Sequence, residues 1–162
     1  MAKTDYPITQ AVRFLRDKKI AFEPHLYDYE EKGGTQRSSE QLGVDEHNVV
    51  KTLVMEDESR KAFIILMHGD YQVSTKQLAR VLNVKSVKPC DPNVAQKHTG
   101  YLVGGTSPFG TKIKMPVYVE KTIFDLPKIY INGGKRGFLV EINPQDLYSA
   151  LNAVEVEVAI AS

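Results

Sequence analysis

The spacing of apolar residues and the residues that flank them predict five helices along the chain. In the first helix, Ile8, Val12 and Leu15 recur at helical spacing, with Ala11 and Phe14 beside them. Capping side chains, proline at a first helical position and glycine after a last turn indicate where the other helices begin and end. We therefore predict helices at Thr9–Lys18, at Ser38–Leu42, from Ser74 or Thr75 to Leu82, from Asp91-Pro92 to Gly100, and from Asn143-Pro144 to Leu151.

Short apolar runs between these helices predict strands. The runs are Phe22–Tyr29, Val49–Met55, Ala62–Met67, Pro116–Val119, Ile129–Ile131 and Phe138–Ile142. Pro24 is typical of an edge strand or a bend, and the Gly133–Gly137 turn is expected to join the last two strands in a hairpin. This irregular alternation of helices and hairpins favours an α+β fold, in which one domain over residues 1–162 surrounds a mixed or antiparallel sheet with helices.

Composition places the chain among globular proteins. It has 162 residues, of which 42% are hydrophobic and 25% are charged, as is usual for a folded domain. No apolar run approaches the roughly 18 residues of a membrane span, and Met1–Asp5 lead into no secretory signal. A single cysteine, Cys90, forms no internal disulfide, which indicates a reducing compartment. We expect a cytoplasmic protein with no membrane partner.

Positive charge is concentrated in the middle of the chain, although the net charge is only +1. Between Tyr71 and Val119 the only acid is Asp91, and the basic residues are Lys76, Arg80, Lys85, Lys88, Lys97, Lys112 and Lys114. Such a stretch suits a polyanion such as nucleic acid. An ordinary solvated surface, balanced by acids folded next to it, explains the same pattern.

Two glycine-rich segments are candidates for a binding site. Six of the eleven glycines lie in Tyr101–Gly110 and Asn132–Gly137. Clustered glycine indicates backbone that adopts positive φ or approaches a ligand closely, and exposed N–H groups in such turns bind anions. Two tight turns without a ligand are the alternative reading.

Lys51 lies inside an apolar strand, between Val50 and Thr52. An amine in that position extends to solvent, pairs with an acid or points into a cleft. A phosphate, a carbonyl or a ribose hydroxyl of a ligand would serve as its partner. An exposed lysine on an edge strand is the competing interpretation.

Familiar catalytic signatures are absent from the sequence. It has no Gly-x-Ser-x-Gly elbow, no Walker loop and no Gly-x-Gly-x-x-Gly motif. The four histidines, at positions 25, 47, 68 and 98, lie far apart and lack metal-ligand spacing. We interpret Cys90 as a small buried residue and not as a nucleophile. These observations argue against a zinc site and a cysteine hydrolase, and no metal or cofactor is expected.

Taken together, these segments resemble the YbaK/EbsC family of aminoacyl-tRNA deacylases, which are relatives of the editing domain of bacterial prolyl-tRNA synthetase. The resemblance covers nearly the whole chain in order. It is carried by His25-Leu26-Tyr27, Val50-Lys51-Thr52-Leu53, Asp91–Lys97, Thr99–Gly110 and Ile129–Gly137.

The resemblance implies a small α+β fold around a curved β core, with a pocket for the 3′ end of a charged tRNA. It implies that Lys51 and Tyr27 are the catalytic residues. The substrate-binding residues that it implies are Thr52, Gly104, Gly105, Thr106, Pro108, Gly110, Asn132, Gly133 and Gly134. The chain departs from the family pattern at Asn132, where serine is frequent, and at Leu139, where an acid is frequent; Glu141 is a candidate to supply that carboxylate.

The activity that the resemblance implies is trans-editing, the cleavage of a mischarged aminoacyl-tRNA ester. The expected substrate is Cys-tRNA(Pro), cleaved by attack of its own thiol, with backbone N–H groups near Gly104–Gly105 or Gly133–Gly134 as candidate donors to the carbonyl oxygen. The expected partner is prolyl-tRNA synthetase with tRNA(Pro). Two alternatives remain, namely editing of Ala or Ser by water attack, and a noncatalytic module that binds an RNA end or a nucleotide.

Overall fold

The computed structural model describes residues 5–161, and across them the chain forms five α-helices. Residues 1–4 and 162 lie outside the described residues. They belong to the predicted domain, and residues 1–4 are most of the Met1–Asp5 segment that was considered for a secretory signal. The helices are α1 (Gln10–Asp17), α2 (Gly34–Leu42), α3 (Thr75–Leu82), α4 (Pro92–Thr99) and α5 (Asp146–Leu151). None of these helices has the length and apolar character that crossing a bilayer requires.

Ten strands accompany the helices. They are β1 (Glu23–Leu26), β2 (Val49–Asp57), β3 (Ala62–His68), β4 (Tyr71–Val73), β5 (Val87–Pro89), β6 (Val117–Glu120), β7 (Ile129–Lys135), β8 (Phe138–Ile142), β9 (Val154–Val156) and β10 (Ala159–Ala161). Short 3₁₀ helices at Glu46–Asn48 and Lys121–Asp125 lead into β2 and follow β6.

The main sheet is mixed, which confirms the predicted α+β class. Its strand order is β1-β8-β7-β2-β3-β6-β9, and β5 also pairs with β2. The pairs β2·β7, β3·β6 and β6·β9 are parallel, whereas the hairpins β2·β3 and β7·β8 are antiparallel. Strands β4 and β10 form a separate two-stranded sheet.

Strand β3 is buried on both of its faces. Ile64 and Leu66 belong to a cluster with residues of α1, β7, β8 and α5, and Ile65 and Met67 belong to a second cluster with Leu78 of α3. A continuous apolar run is what a strand covered on both sides requires. The central hairpin is thereby held between two apolar layers, and this fixes the position of β2.

Strand β2 lacks a pairing partner along the middle of one edge. On that edge it pairs with β7 at Val49 and Val50 and with β5 from Met55 to Asp57. Within the described chain, no strand pairs with residues 51–54 on that side. The sheet therefore has a gap beside Lys51, and β7 and β5 form its two ends.

Most predicted elements are confirmed, with differences at their ends. Helix α2 begins at Gly34, before the predicted start at Ser38. Its first turn is polar and carries no apolar periodicity, so the sequence pattern did not reveal it. Asp91 precedes α4 as expected, but its side chain makes no capping hydrogen bond. The β7–β8 hairpin forms with a bulge between Asn132 and Lys135. Strands β4, β5, β9 and β10 have three residues each, too few for a periodicity to show.

Thr9 joins α1 to the second glycine-rich segment. Its Oγ1 accepts the Val12 N–H at 3.1 Å and donates to the Gly133 carbonyl. The same hydroxyl therefore caps the helix and holds the bulged end of β7.

We predict that Thr9→Val lowers the free energy of unfolding by about 1–2 kcal/mol, because it removes the cap and leaves the Gly133 carbonyl without its donor. Urea denaturation followed by circular dichroism measures the effect. Thr9→Ser, which keeps the hydroxyl, is the matched control. Equal stability of the valine and serine variants would contradict this role.

Candidate functional site

A cavity of about 770 Å³ opens at the gap in the sheet. Its walls come from β2, the loop before α2, the start of α4 and both glycine-rich segments. Of the residues predicted for the site, six line the cavity, namely Tyr27, Lys51, Thr52, Gly104, Thr106 and Asn132. Gly105, Pro108, Gly110, Gly133 and Gly134 lie outside the lining.

Lys51 is partly buried in the cavity wall, on the face of β2 that carries Val49 and Leu53. Its Nζ lies 3.5 Å from the Gly69 carbonyl oxygen, at the long limit of a hydrogen bond. Desolvation lowers the pKa of Lys51, and the charges of Glu46 and Asp70 oppose that shift. Lys51 is thus not an exposed edge lysine, and no carboxylate within 4.0 Å among the described residues neutralises it.

A stacked histidine pair lies behind Lys51. The rings of His47 and His68 are 3.8 Å apart and nearly parallel, and His47 Nδ1 lies 3.0 Å from an Asp70 oxygen. The expectation that the histidines lie far apart is therefore wrong for this pair, because the β2–β3 hairpin and the turn after it bring them together. His68 contacts the His47 carbonyl through Nδ1 at 2.8 Å and Thr122 Oγ1 through Nε2 at 2.7 Å.

His47, His68 and Asp70 each offer one potential metal-ligand atom, and these three atoms lie within 4.8 Å of one another. Both nitrogens of the His68 ring already have partners, and burial lowers the pKa of His68. The arrangement is therefore a hydrogen-bonded support for the turn at Gly69, whose carbonyl faces Lys51.

Thr52 presents unpaired polar groups at the gap. Its buried Oγ1 has no hydrogen-bond partner within residues 5–161. The carbonyl of Val54 faces the gap side, since it accepts the Cys90 N–H at 3.0 Å. Main-chain groups two residues apart along a strand point to the same edge, so the N–H and carbonyl of Thr52 also face the gap. Unpaired buried polar groups cost free energy unless a ligand or water satisfies them.

Tyr27 lines the cavity and packs in a small apolar cluster with Val49, Tyr130 and Leu139. Its N–H donates to the Gly137 carbonyl at 2.9 Å, and burial raises the pKa of its phenol, which stays protonated. Leu139 is buried and lines the cavity. At the position where the resemblance led us to expect an acid, this chain therefore has an apolar wall.

Glu141 does not replace the missing acid. Its oxygens lie 2.9 Å from His25 Nε2 and 3.3 Å from Lys128 Nζ, and the residue is outside the cavity lining. Its carboxylate is engaged by His25 and Lys128 at the β1 edge of the sheet.

The two glycine-rich segments contact each other. Asn132 Nδ2 donates to the Gly104 carbonyl at 3.1 Å, and Arg136 Nε donates to the Val103 carbonyl at 2.8 Å. The backbone at Gly105 packs so closely that a Cβ there would lie 2.7 Å from the Arg136 nitrogen. The sequence indicated two separate loops, Tyr101–Gly110 and Asn132–Gly137. In the structure they join to form one continuous rim at the cavity.

The candidate backbone donors differ in availability. Gly105 N–H donates to the Leu102 carbonyl at 2.8 Å, and Gly134 N–H donates to Asn132 Oδ1 at 2.7 Å. Neither is free. Gly104 N–H, at a residue with φ of 89°, has no acceptor among residues 5–161 and lies at the cavity. It is therefore an available donor at the rim.

Close packing explains the glycines outside the lining. A Cβ at Gly110 would lie 2.8 Å from the Gln10 carbonyl oxygen, and one at Gly133 would overlap the Phe138 ring. A Cβ at Gly134 would lie 2.9 Å from the Tyr101 ring. These residues hold the rim against α1 and the core instead of facing the cavity.

Three further residues line the cavity, namely Arg136, Arg37 and Cys90. Arg136 belongs to Asn132–Gly137, a segment expected to form a binding site, whereas nothing in the sequence indicated Arg37 or Cys90. The Arg136 guanidinium lies 5.3 Å from the centre of the Tyr29 ring. A basic residue beside a glycine pair was the available signal for Arg136. Cys90 is buried, as predicted, and burial together with the nearby Glu56 raises the pKa of its thiol to about 11.

Comparison with known proteins assigns the fold to a family. The model of the aminoacyl-tRNA editing domain matches residues 30–150. The chain is 26% identical to an Enterococcus faecalis protein provisionally named Cys-tRNA(Pro)/Cys-tRNA(Cys) deacylase EbsC, over 93% of this chain and 92% of that protein. It is 27% identical to a proline–tRNA ligase of Thermodesulfovibrio yellowstonii, over 70% of this chain and 18% of the ligase.

A solved structure shares the fold. It is provisionally described as a trans-editing enzyme for prolyl-tRNA synthetase, and it superposes with a TM-score of 0.81 at 17% identity. The match covers 96% of this chain and all of that one.

Because the folded protein resists ionisation of Cys90, we predict that iodoacetamide modifies this thiol slowly near neutral pH. The thiolate fraction at about pH 8 is roughly one in a thousand for a pKa of about 11, far below that of an ordinary thiol. The rate should keep rising as the pH passes about 9, which mass spectrometry of the single cysteine measures. Urea-unfolded protein is the control. The prediction would be contradicted if the pH midpoint of the alkylation rate were as low in the folded protein as in the unfolded protein.

Proposed function

Since this chain belongs to the family of aminoacyl-tRNA editing domains, we propose that it is a trans-editing deacylase whose substrate is Cys-tRNA(Pro). The observation that supports this most is the cavity, which joins a partly buried amine, an unpaired threonine hydroxyl and a free backbone N–H. The thiol in its lining, Cys90, has a raised pKa of about 11 and stays protonated at neutral pH. Its volume lies within the range of small-molecule sites.

An aminoacyl ester is already activated, so that orientation and charge stabilisation suffice to cleave it. In our proposal Lys51 contacts the carbonyl or ribose region, and Gly104 N–H donates to the oxygen on which negative charge develops. Tyr27 stays a neutral donor, and Thr52 binds the ribose or the acyl group. Thr106 and Asn132 contact the substrate from the rim, while Gly105, Pro108, Gly110, Gly133 and Gly134 keep the rim in place.

The nucleophile in this proposal is the substrate's own thiol. The cysteinyl sulfur attacks the ester carbonyl carbon, the C–S bond forms and the C–O bond to the ribose breaks. The thiol proton passes to the departing ribose oxygen, which yields uncharged tRNA and a cyclic thioester. Cys90 does not compete for this role, because its thiol is protonated at neutral pH. Water attack on an Ala or Ser ester is the alternative within the same cavity.

We further propose that prolyl-tRNA synthetase presents tRNA(Pro) to this protein, and that both act in the cytoplasm where translation takes place. A cavity that holds one acylated nucleotide makes no contact with the rest of the tRNA, so it cannot by itself select tRNA(Pro). The match to part of a proline–tRNA ligase supports the choice of synthetase.

We predict that Lys51→Ala lowers kcat/KM for deacylation of Cys-tRNA(Pro) by about 100-fold or more, as is typical when a preorganised charge-stabilising group is lost. Release of radiolabelled cysteine measures the rate. Lys61→Ala removes an exposed lysine at the end of the same hairpin and is the control. Full activity of a folded Lys51→Ala variant would rule out the role of this amine.

We also predict that Cys-tRNA(Pro) is cleaved at least about 10-fold faster than Ser-tRNA(Pro) or Ala-tRNA(Pro), because a thiol is a much stronger nucleophile than a hydroxyl. The three esters are compared at equal concentrations by the loss of charged tRNA. Equal rates would indicate water attack instead. Binding of all three without cleavage would indicate the noncatalytic module.

A further inference from the structure

A second cavity of about 370 Å³ lies between α3 and β5. We call it the basic groove and define it by Thr75, Lys76, Arg80 and Lys85, which line it. The three basic side chains belong to exposed residues. They come from separate turns of α3 and from the loop before β5, and the fold directs them to one concave surface.

The cations of the basic groove have no carboxylate partners within 4.0 Å among residues 5–161. The nearest acid with a described contact is Glu58, which accepts the backbone N–H groups of Lys85 and Ser86 at 3.0 and 3.2 Å. Of the seven basic residues in the central stretch, Lys88 alone forms an ion pair, with Glu56 at 4.0 Å. No ion pair therefore neutralises Lys76, Arg80 or Lys85, and the Glu58 carboxylate lies at the Lys85–Ser86 end of the groove.

The basic groove adjoins the main cavity. Thr75 lines both, and β5 contributes Val87 to the groove and Pro89 to the cavity. The α2 side of the cavity carries Glu30 and Glu31 beside Lys32 and Arg37, and Arg37 pairs with Glu30 at 3.4 Å. An anionic chain that leaves the cavity therefore meets acids and bases in equal number on the α2 side and cations without ion pairs at the basic groove.

We propose that the basic groove binds the phosphodiester backbone of the RNA that precedes the nucleotide held in the main cavity. The inference rests on the proposed function, because it takes an acylated RNA end as the occupant of that cavity. Lys76, Arg80 and Lys85 contact phosphate oxygens, and the strand passes over Thr75. Contacts of this kind add affinity without reading sequence.

The test compares two triple variants with equal loss of charge. K76Q/R80Q/K85Q removes the cations of the basic groove, and K97Q/K112Q/K114Q removes three exposed lysines of the same central stretch that line neither cavity. Each is assayed on Cys-tRNA(Pro) and on 3′-O-cysteinyl adenosine, which has no phosphodiester. Binding of a short, uncharged, fluorescein-labelled single-stranded RNA that ends in adenosine is followed by anisotropy across a salt series.

We expect the groove variant to lose about 10-fold or more in kcat/KM on the tRNA at low salt, with a less negative salt dependence. Its rate on cysteinyl adenosine should match the wild type, and the control variant should stay within about 3-fold on both substrates, as expected for charges remote from the RNA. For three lost phosphate contacts, the slope of log affinity against log salt should change by about 2 on single-stranded RNA.

Equal losses in the two triple variants would overturn the basic groove while leaving the deacylase proposal intact. Displacement of the RNA by poly-glutamate at equal charge concentration would overturn phosphodiester recognition in favour of an acidic protein partner. A third outcome separates the two proposals. If the wild-type protein cleaves no ester, but RNA binding is lost in the groove variant and kept in the control variant, the proposed function is refuted and the basic groove is supported.

Discussion

The interrupted pairing of β2 is the constraint on which the rest of the structure depends. Main-chain N–H and carbonyl groups need partners when they leave water. On this edge β2 receives them from β7 at Val49 and Val50, and from Cys90 and β5 at Val54 and beyond, but not at Thr52. The polar groups of Thr52 are thereby left facing a cavity instead of a neighbouring strand. The strand itself does not move, because β3 is clamped between two apolar clusters and pairs with β2 over seven residue pairs.

The rim over this gap is built from two segments that are far apart in sequence. The Asn132 amide joins them, since its oxygen accepts from Gly134 and Lys135 while its nitrogen donates to Gly104. A serine at this position, which the resemblance led us to expect, would have a single hydroxyl in place of the separate donor and acceptor of an amide. Asn132 therefore connects the rim through both polar atoms of its amide, and Leu139 gives the cavity an apolar wall.

Sequence reasoning succeeded where the signal is local. The β2–β3 and β7–β8 hairpins, the helix cap at Ser74 and the unusual position of Lys51 are all readable from a few neighbouring residues. Short strands such as β5 carry no periodicity, yet β5 closes one end of the gap. The stacking of His47 on His68 depends on the register of a hairpin, and the approach of Cys90 to the cavity depends on β5. Neither contact has a signature at fixed spacing, which is why spacing alone did not reveal them.

The gap also bears on self-association. An unpaired strand edge on a protein surface is a template for another chain, and proteins usually blunt such edges with charge or cover them. In this fold the open part of β2 is recessed beneath the joined glycine segments and carries Lys51 at its start. A ligand of nucleotide dimensions can reach main-chain groups that an incoming β-strand cannot, so the same recess that keeps these groups available also protects the molecule from forming continuous sheets with its own copies.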